Sequence, residues 1–120
     1  MNLVISSVKD AGDLNRERLV LRATENLNVG DFAVLCCSHI NENEVGSGDI
    51  PHTYWFENAE VSKDDFVVLY TKRGTRSSKT ADTGRTSHFF YWDRTGSIWN
   101  ANYRPVVLAA PQYQFGPIIA

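Results

Sequence analysis

Apolar side chains come in short runs along this chain, and the clearest are residues 66–71 (FVVLYT), 87–92 (SHFFYW) and 106–110 (VVLAA). Aromatic and β-branched side chains lose rotamer freedom in a helix and pack well on a pleated surface, so these runs read as strands. Four more segments of the same kind precede them, at 3–8, 17–23, 32–38 and 52–56. Between the seven lie stretches rich in Gly, Asn, Asp and Ser, such as Asp10-Ala11-Gly12-Asp13 and Thr95-Gly96-Ser97, which are turn formers. Short strands punctuated in this way predict an all-β, immunoglobulin-like β-sandwich of about seven to nine strands. No Pro/Ser linker, internal repeat or long helical period interrupts it, so residues 1–120 read as one domain. Residues 58–65 have room for no more than a helical turn.

Two local expectations follow from strand alternation. Phe66, Val68 and Tyr70 alternate with Val67 and Leu69, so both faces of that strand are apolar and it belongs in the interior of a sheet. Cys36 and Cys37 are neighbours within the 32–38 strand, which places one thiol in the core and the other outside. Adjacent cysteines do not form an ordinary structural disulfide, which agrees with a reducing compartment. No apolar run approaches the roughly 20 residues of a membrane helix, and the first residues lack the basic region and long apolar stretch of a secretory signal. The expectation is a cytoplasmic protein with no membrane partner.

With 42% hydrophobic and 22% charged residues in 120, the chain can fold around one core without metal or disulfide staples. Its net charge of −2 hides an uneven distribution. Residues 1–65 carry 5 Lys/Arg against 12 Asp/Glu, and residues 66–120 carry 7 against 2. In a sandwich the two halves interleave, and local cancellation is the expected outcome. Without it, the asymmetry favours an anionic partner on one face or acidic-to-basic self-association.

The cations concentrate in one interval, where Lys72, Arg73, Arg76, Lys79 and Arg85 stand against Asp82 alone. With Gly74, Gly84 and five Ser or Thr residues between 75 and 83, this reads as a mobile loop rich in donors for phosphate oxygens. Its ordinary alternative is a solvated hairpin whose charges protect an edge strand. Nucleic-acid binding calls for aromatic rings beside the cations, and Tyr70 near Lys72 and Tyr103 beside Arg104 are the evident pairs. A pI near 5.9 is not that of a dedicated nucleic-acid binder.

Catalytic readings start from Cys36 or Cys37 with His39, His52 or His88, a nucleophile and base that would need to meet in space. Adjacent cysteines cannot easily fill two tetrahedral corners, so zinc is disfavoured. The stretch 41–46 (NENEVG) has the acidic character of a calcium loop but places Val45 at a ligand position, and a flexible acidic loop is the simpler reading. A small cysteine- or metal-dependent enzyme thus stands as the alternative to a binding protein. A pocket bringing thiol, imidazole and carboxylate together would separate the two.

The order of these strands and turns resembles the lamin tail domain family, an immunoglobulin-like sandwich. The resemblance is carried by LVISSV at 3–8 with Gly12 and ERLVLR at 17–22, by GDFAVL at 30–35, by YWF at 54–56, and by VSKDDFVVLY at 61–70. It continues through Gly74, Tyr91-Trp92, Trp99-Asn100 and Val106-Val107-Leu108, so that it spans residues 3 to 110. It implies a binding or tethering module without a catalytic constellation. The expected function is therefore non-enzymatic and cofactor-free, with a protein partner foremost. Nucleic acid or another phosphate-bearing ligand would bind at Lys72, Arg73, Arg76, Lys79 and Arg85.

Overall fold

A computed structural model describes residues 1–110 and 112–119. Eleven strands are found among them: β1 (Leu3–Lys9), β2 (Arg18–Ala23), β3 (Leu27–Asn28), β4 (Phe32–Asn41), β5 (Glu44–Gly46), β6 (His52–Trp55), β7 (Glu60–Val61), β8 (Phe66–Tyr70), β9 (Ser77–Thr80), β10 (Thr86–Tyr91) and β11 (Tyr103–Ala109). The helical content among these residues is one 3-10 turn, Val29–Asp31, closed by the Asn28 side chain accepting the Gly30 N–H.

The strands form an all-β sandwich. One sheet has the order β1-β2-β8-β10-β9, with β8 and β10 parallel and the other neighbours antiparallel. In the other, β4 pairs with β11 along one edge. Along its opposite edge β4 pairs with β6 over Ala33 to Cys36 and with β5 from Ser38 onward. A two-stranded ladder of β3 and β7 lies apart from these.

Alternation sends one side chain in two into the core between the sheets. Leu19, Leu21, Val67, Leu69 and Phe90 of the first sheet meet Phe32, Val34, Cys36 and Val107 of the second, all at or below 9% exposure, with Phe56 just beyond β6. Phe56 meets Phe90 edge-on with ring centroids 5.0 Å apart. The connection from β10 to β11 folds Ile98 and Trp99 over one end of the core, and the fully buried Glu17 carboxylate holds them there through their backbone N–H groups at 3.0 and 3.2 Å.

The seven expected strands are all present, with ends shifted by up to three residues. The central position of β8 holds too, since Val67, Val68 and Leu69 are 0, 7 and 1% exposed between β2 and β10. The four further strands, β3, β5, β7 and β9, are two to four residues long and mostly polar, so no alternation announces them. β7 occupies the stretch where a helical turn had room. Within the 41–46 stretch Glu42 and Asn43 form a two-residue hairpin turn between β4 and β5, with the Asn41 side chain accepting from the Asn43 N–H and donating to Glu44.

The cysteines depart from expectation. Both are buried, Cys36 in the core and Cys37 on the opposite face at 2% exposure. The chain after β5 folds back on β4 there, with the Asp49 carbonyl accepting the Ser38 N–H at 3.2 Å, and this return covers the face that alternation alone would have left open. No helix among the described residues is long and apolar enough to cross a membrane.

Candidate functional site

The outward face of the five-stranded sheet gathers the chain's unusual chemistry. Residues paired across neighbouring strands share a face. The pairing register therefore builds three rows there: Lys9, Arg18, Tyr70 and Tyr91; Ser7, Val20, Val68, Phe89 and Ser77; and Val4, Arg22, Phe66, Ser87 and Lys79. None of these side chains belongs to the buried core cluster. Phe66, Tyr70, Phe89 and Tyr91 are all partly exposed, and together with Val20 they close over Val68 at the centre.

Three of the rings form one connected surface. Tyr70 stacks on Tyr91 with centroids 5.4 Å apart and planes 11° from parallel, and Phe89 leans on Tyr70 at 6.3 Å. Cations cover the rim of this surface. Lys72 Nζ lies 4.9 Å from the Tyr70 centroid, Arg18 Cζ 5.9 Å from the same ring, and Arg85 Cζ 5.0 Å from that of Phe66. These are cation–π distances, at which the ring quadrupole attracts the charge.

On this face Asp10 is bonded to Arg18 at 2.9 Å and Asp64 to Arg22 at 3.3 Å. Among the described residues Lys9, Lys72, Lys79 and Arg85 have no carboxylate within ion-pair distance. The charges of the two sequence halves therefore do not cancel here. Lys9, Arg18 and Arg22 from the acidic half join Lys72, Lys79 and Arg85 from the basic half, while Glu42, Glu44 and Asp49 lie on the β4–β5 hairpin and the loop after it.

The five cations singled out from the sequence are thus divided among three places. Lys72, Lys79 and Arg85 are on the aromatic face. Arg76 turns round the sheet edge, where its guanidinium lies 5.1 Å from the Phe90 ring, 3.7 Å from the Glu57 carboxylate and 3.4 Å from the Asn58 carbonyl. Arg73 is exposed beside Lys72 and Arg94 in a shallow cleft that Leu14 and Thr95 also line. The interval expected as one loop contains a strand. It crosses the end of β10 with Gly74 against the Tyr91 ring, then forms β9, then turns back through Ala81 to Arg85. Gly84, at φ 86°, takes the left-handed position in that turn.

What the sequence did not reveal is the contribution of Lys9, Arg18 and Arg22 and of the rings Phe66, Phe89 and Tyr91. The available signal was alternation within β2, β8 and β10, but assigning those residues to one face required the strand order.

The groups that would serve catalysis are spread apart or occupied. Cys36 is paired in register with His52, yet its Sγ contacts the Ile98 carbonyl at 3.8 Å, and the His52 ring packs edge-on to Trp92. Burial first, then the nearby Cys37, Glu17 and Asp49, push the Cys36 thiol up to about 11, and burial with Asp49 raises Cys37. A raised pKa suppresses the thiolate that a nucleophile or metal ligand requires. Burial and the neighbouring Arg94 lower the pKa of His52. His39 lies on β4, its backbone N–H bonded to the Asn102 carbonyl. His88 Nε2 pairs with Asp65 Oδ2 at 2.9 Å, and Asp65 also accepts the Ser62 and Thr86 N–H groups. Among the described residues no group of three or more His, Cys, Asp or Glu stands close enough to hold a metal ion.

Trp55 is 48% exposed on the outer face of the other sheet, its indole N–H bonded to the Gly30 carbonyl, with Tyr113 edge-on at 4.7 Å. Trp99 is buried, and Trp92 is partly buried against the core. Set against known proteins, the chain matches no family model and no curated protein.

Proposed function

We propose that this chain is a non-enzymatic binding module that holds an anionic partner on the outer face of its five-stranded sheet. One observation carries the reading: Lys9, Lys72, Lys79 and Arg85 lie around the rim of one face without carboxylate partners among the described residues, with Arg18 and Arg22 on the same face. Such a concentration of one charge attracts anions over a distance set by ionic strength, even on a chain of net charge −2. The resemblance to the lamin tail domain family agrees with a tethering role, and two free thiols agree with a reducing, cytoplasmic setting. The test is retention on immobilised heparin or polyphosphate at low salt. Lys72→Gln, Lys79→Gln and Arg85→Gln together should abolish retention while leaving the melting temperature near that of the parent. No retention of the parent at low salt would overturn the reading.

A protein partner has its own support in the outer face of the second sheet, where Trp55 and Leu108 are 48 and 46% exposed beside Ala33. Self-association through that face would appear in sedimentation as a concentration-dependent mass that Trp55→Ser abolishes. A single mass at all concentrations removes self-association.

A further inference from the structure

We infer that the ligand of the five-stranded sheet's outer face is single-stranded nucleic acid, bound with its bases stacked on Tyr70, Phe89 and Phe66 and its phosphates held by Lys72, Lys79 and Arg85. The inference rests on the anion-binding reading above and adds the chemistry that distinguishes one polyanion from another. A polyphosphate or a sulfated sugar uses the cations alone. A nucleic acid duplex presents phosphates but keeps its bases stacked inside. Only an unpaired strand offers both an anion and an exposed π-face at each step.

The face supplies both partners in alternation. Neighbouring strands stand about 4.8 Å apart, and residues two apart on one strand about 7 Å. Phe66 and Tyr70 on β8 and Phe89 on β10 therefore spread aromatic surface over several base-sized positions rather than concentrating it at one. These rings lie outside the core cluster although they are among the largest apolar groups of the sheet. Packing between the two sheets does not account for their placement.

The cations are poised against the rings. Lys72 lies over Tyr70 and Arg85 over Phe66 at 4.9 and 5.0 Å, each without an ion pair among the described residues. A base arriving on either ring displaces the charged head sideways, where it meets the phosphate attached to that base. The displaced cation–π contact is thereby replaced by a charge-assisted hydrogen bond. Tyr91 stacks on Tyr70 with ring centroids 5.4 Å apart and extends its aromatic surface. Stacking accepts the π-face of every base, so the strand is bound with little sequence preference.

The test measures fluorescence polarisation of a labelled oligothymidylate of about ten nucleotides, a duplex of equal length and inorganic polyphosphate at two salt concentrations. The single strand should bind tightest. Tyr70→Leu with Phe89→Leu keeps the apolar cover over Val68 but removes the rings. It should weaken the single strand at least about fivefold per ring and leave polyphosphate unchanged. Lys72→Gln with Arg85→Gln should weaken all three ligands and reduce the salt slope for the single strand by about 0.7 per lost contact. On the unaltered protein, photo-crosslinking a bromouridine strand should label the peptides that contain Tyr70 or Phe89. If polyphosphate binds but the single strand binds no better than duplex and ignores the ring changes, the inference fails and the anion face stands. If nothing binds at low salt, both fail.

Discussion

The Thr71 hydroxyl donates to Glu17 Oε2 at 2.6 Å, joining the end of the central strand β8 to the start of β2 inside the fold. The same fully buried carboxylate accepts the N–H groups of Gly12, Ile98 and Trp99, so four donors satisfy its two oxygens. A buried carboxylate is tolerated only when its oxygens are hydrogen-bonded, and removing it leaves its donors orphaned. Glu17→Ala should cost about 3–5 kcal/mol in urea unfolding. Glu17→Gln should cost less than Ala but clearly more than zero, because its amide NH2 must face N–H donors. Thr71→Val should cost about 1–3 kcal/mol. A loss below 1 kcal/mol for Glu17→Ala would show that the carboxylate does not organise this end of the sandwich.

Acid lability should centre on Asp65. Burial by itself raises its pKa, but the bonds from His88 and from the Thr86 and Ser62 N–H groups outweigh burial and hold it below the usual 3.8. A folded pKa below the unfolded one means that its stabilisation is complete above the unfolded value and is lost as pH falls through the folded one. Denaturant midpoints should therefore drop more steeply below about pH 4 in the parent than in Asp65→Asn. His52, lowered from 6.5 by burial and Arg94, adds a weaker decline as pH falls through 6.5, which His52→Gln should remove.

Both thiols should resist alkylation in the native state. Cys36 and Cys37 are 0 and 2% exposed and their pKa values are raised, so little accessible thiolate exists at neutral pH. Labelling should be slow at both and should become fast at both in denaturant. Rapid native labelling at Cys37 alone would show that the Asp49 return does not cover it.

Gly74→Ala should disturb the aromatic face without touching its charges. A methyl group there collides with the Tyr91 ring, which would have to leave its stack on Tyr70. A destabilisation of about 1–3 kcal/mol is expected, together with a changed near-ultraviolet circular dichroism spectrum. An unchanged spectrum would place the Tyr91 ring away from this glycine.

The main strands were legible because packing and local preference agree in them: Val67, Leu69 and Phe90 are at once β-formers and core. β9 and β5 were not legible, since Ser77 to Thr80 and Glu44 to Gly46 owe their conformation to a neighbouring strand rather than to their own side chains. The candidate site was half legible. Lys72, Lys79 and Arg85 stand out as a run of charge, whereas Arg18 and Arg22 are separated from them by 50 to 67 positions and join them only through the β2–β8 register. The same return of the chain at Asp49 that buries Cys37 is a tertiary event, which strand alternation cannot anticipate.

The buried carboxylate also constrains the order of events during synthesis. Glu17 lies 81 positions before Ile98 and 82 before Trp99, whose N–H groups complete its shell. A nascent chain that has released β1 and β2 carries a carboxylate whose donors Thr71, Ile98 and Trp99 are not yet made, and β8 has no parallel neighbour until β10 emerges. Closing such distant pairings is entropically slow. The sandwich therefore has no stable early half, and folding is committed only once β10 and the Ile98–Trp99 segment have followed β1 and β2 out of the ribosome.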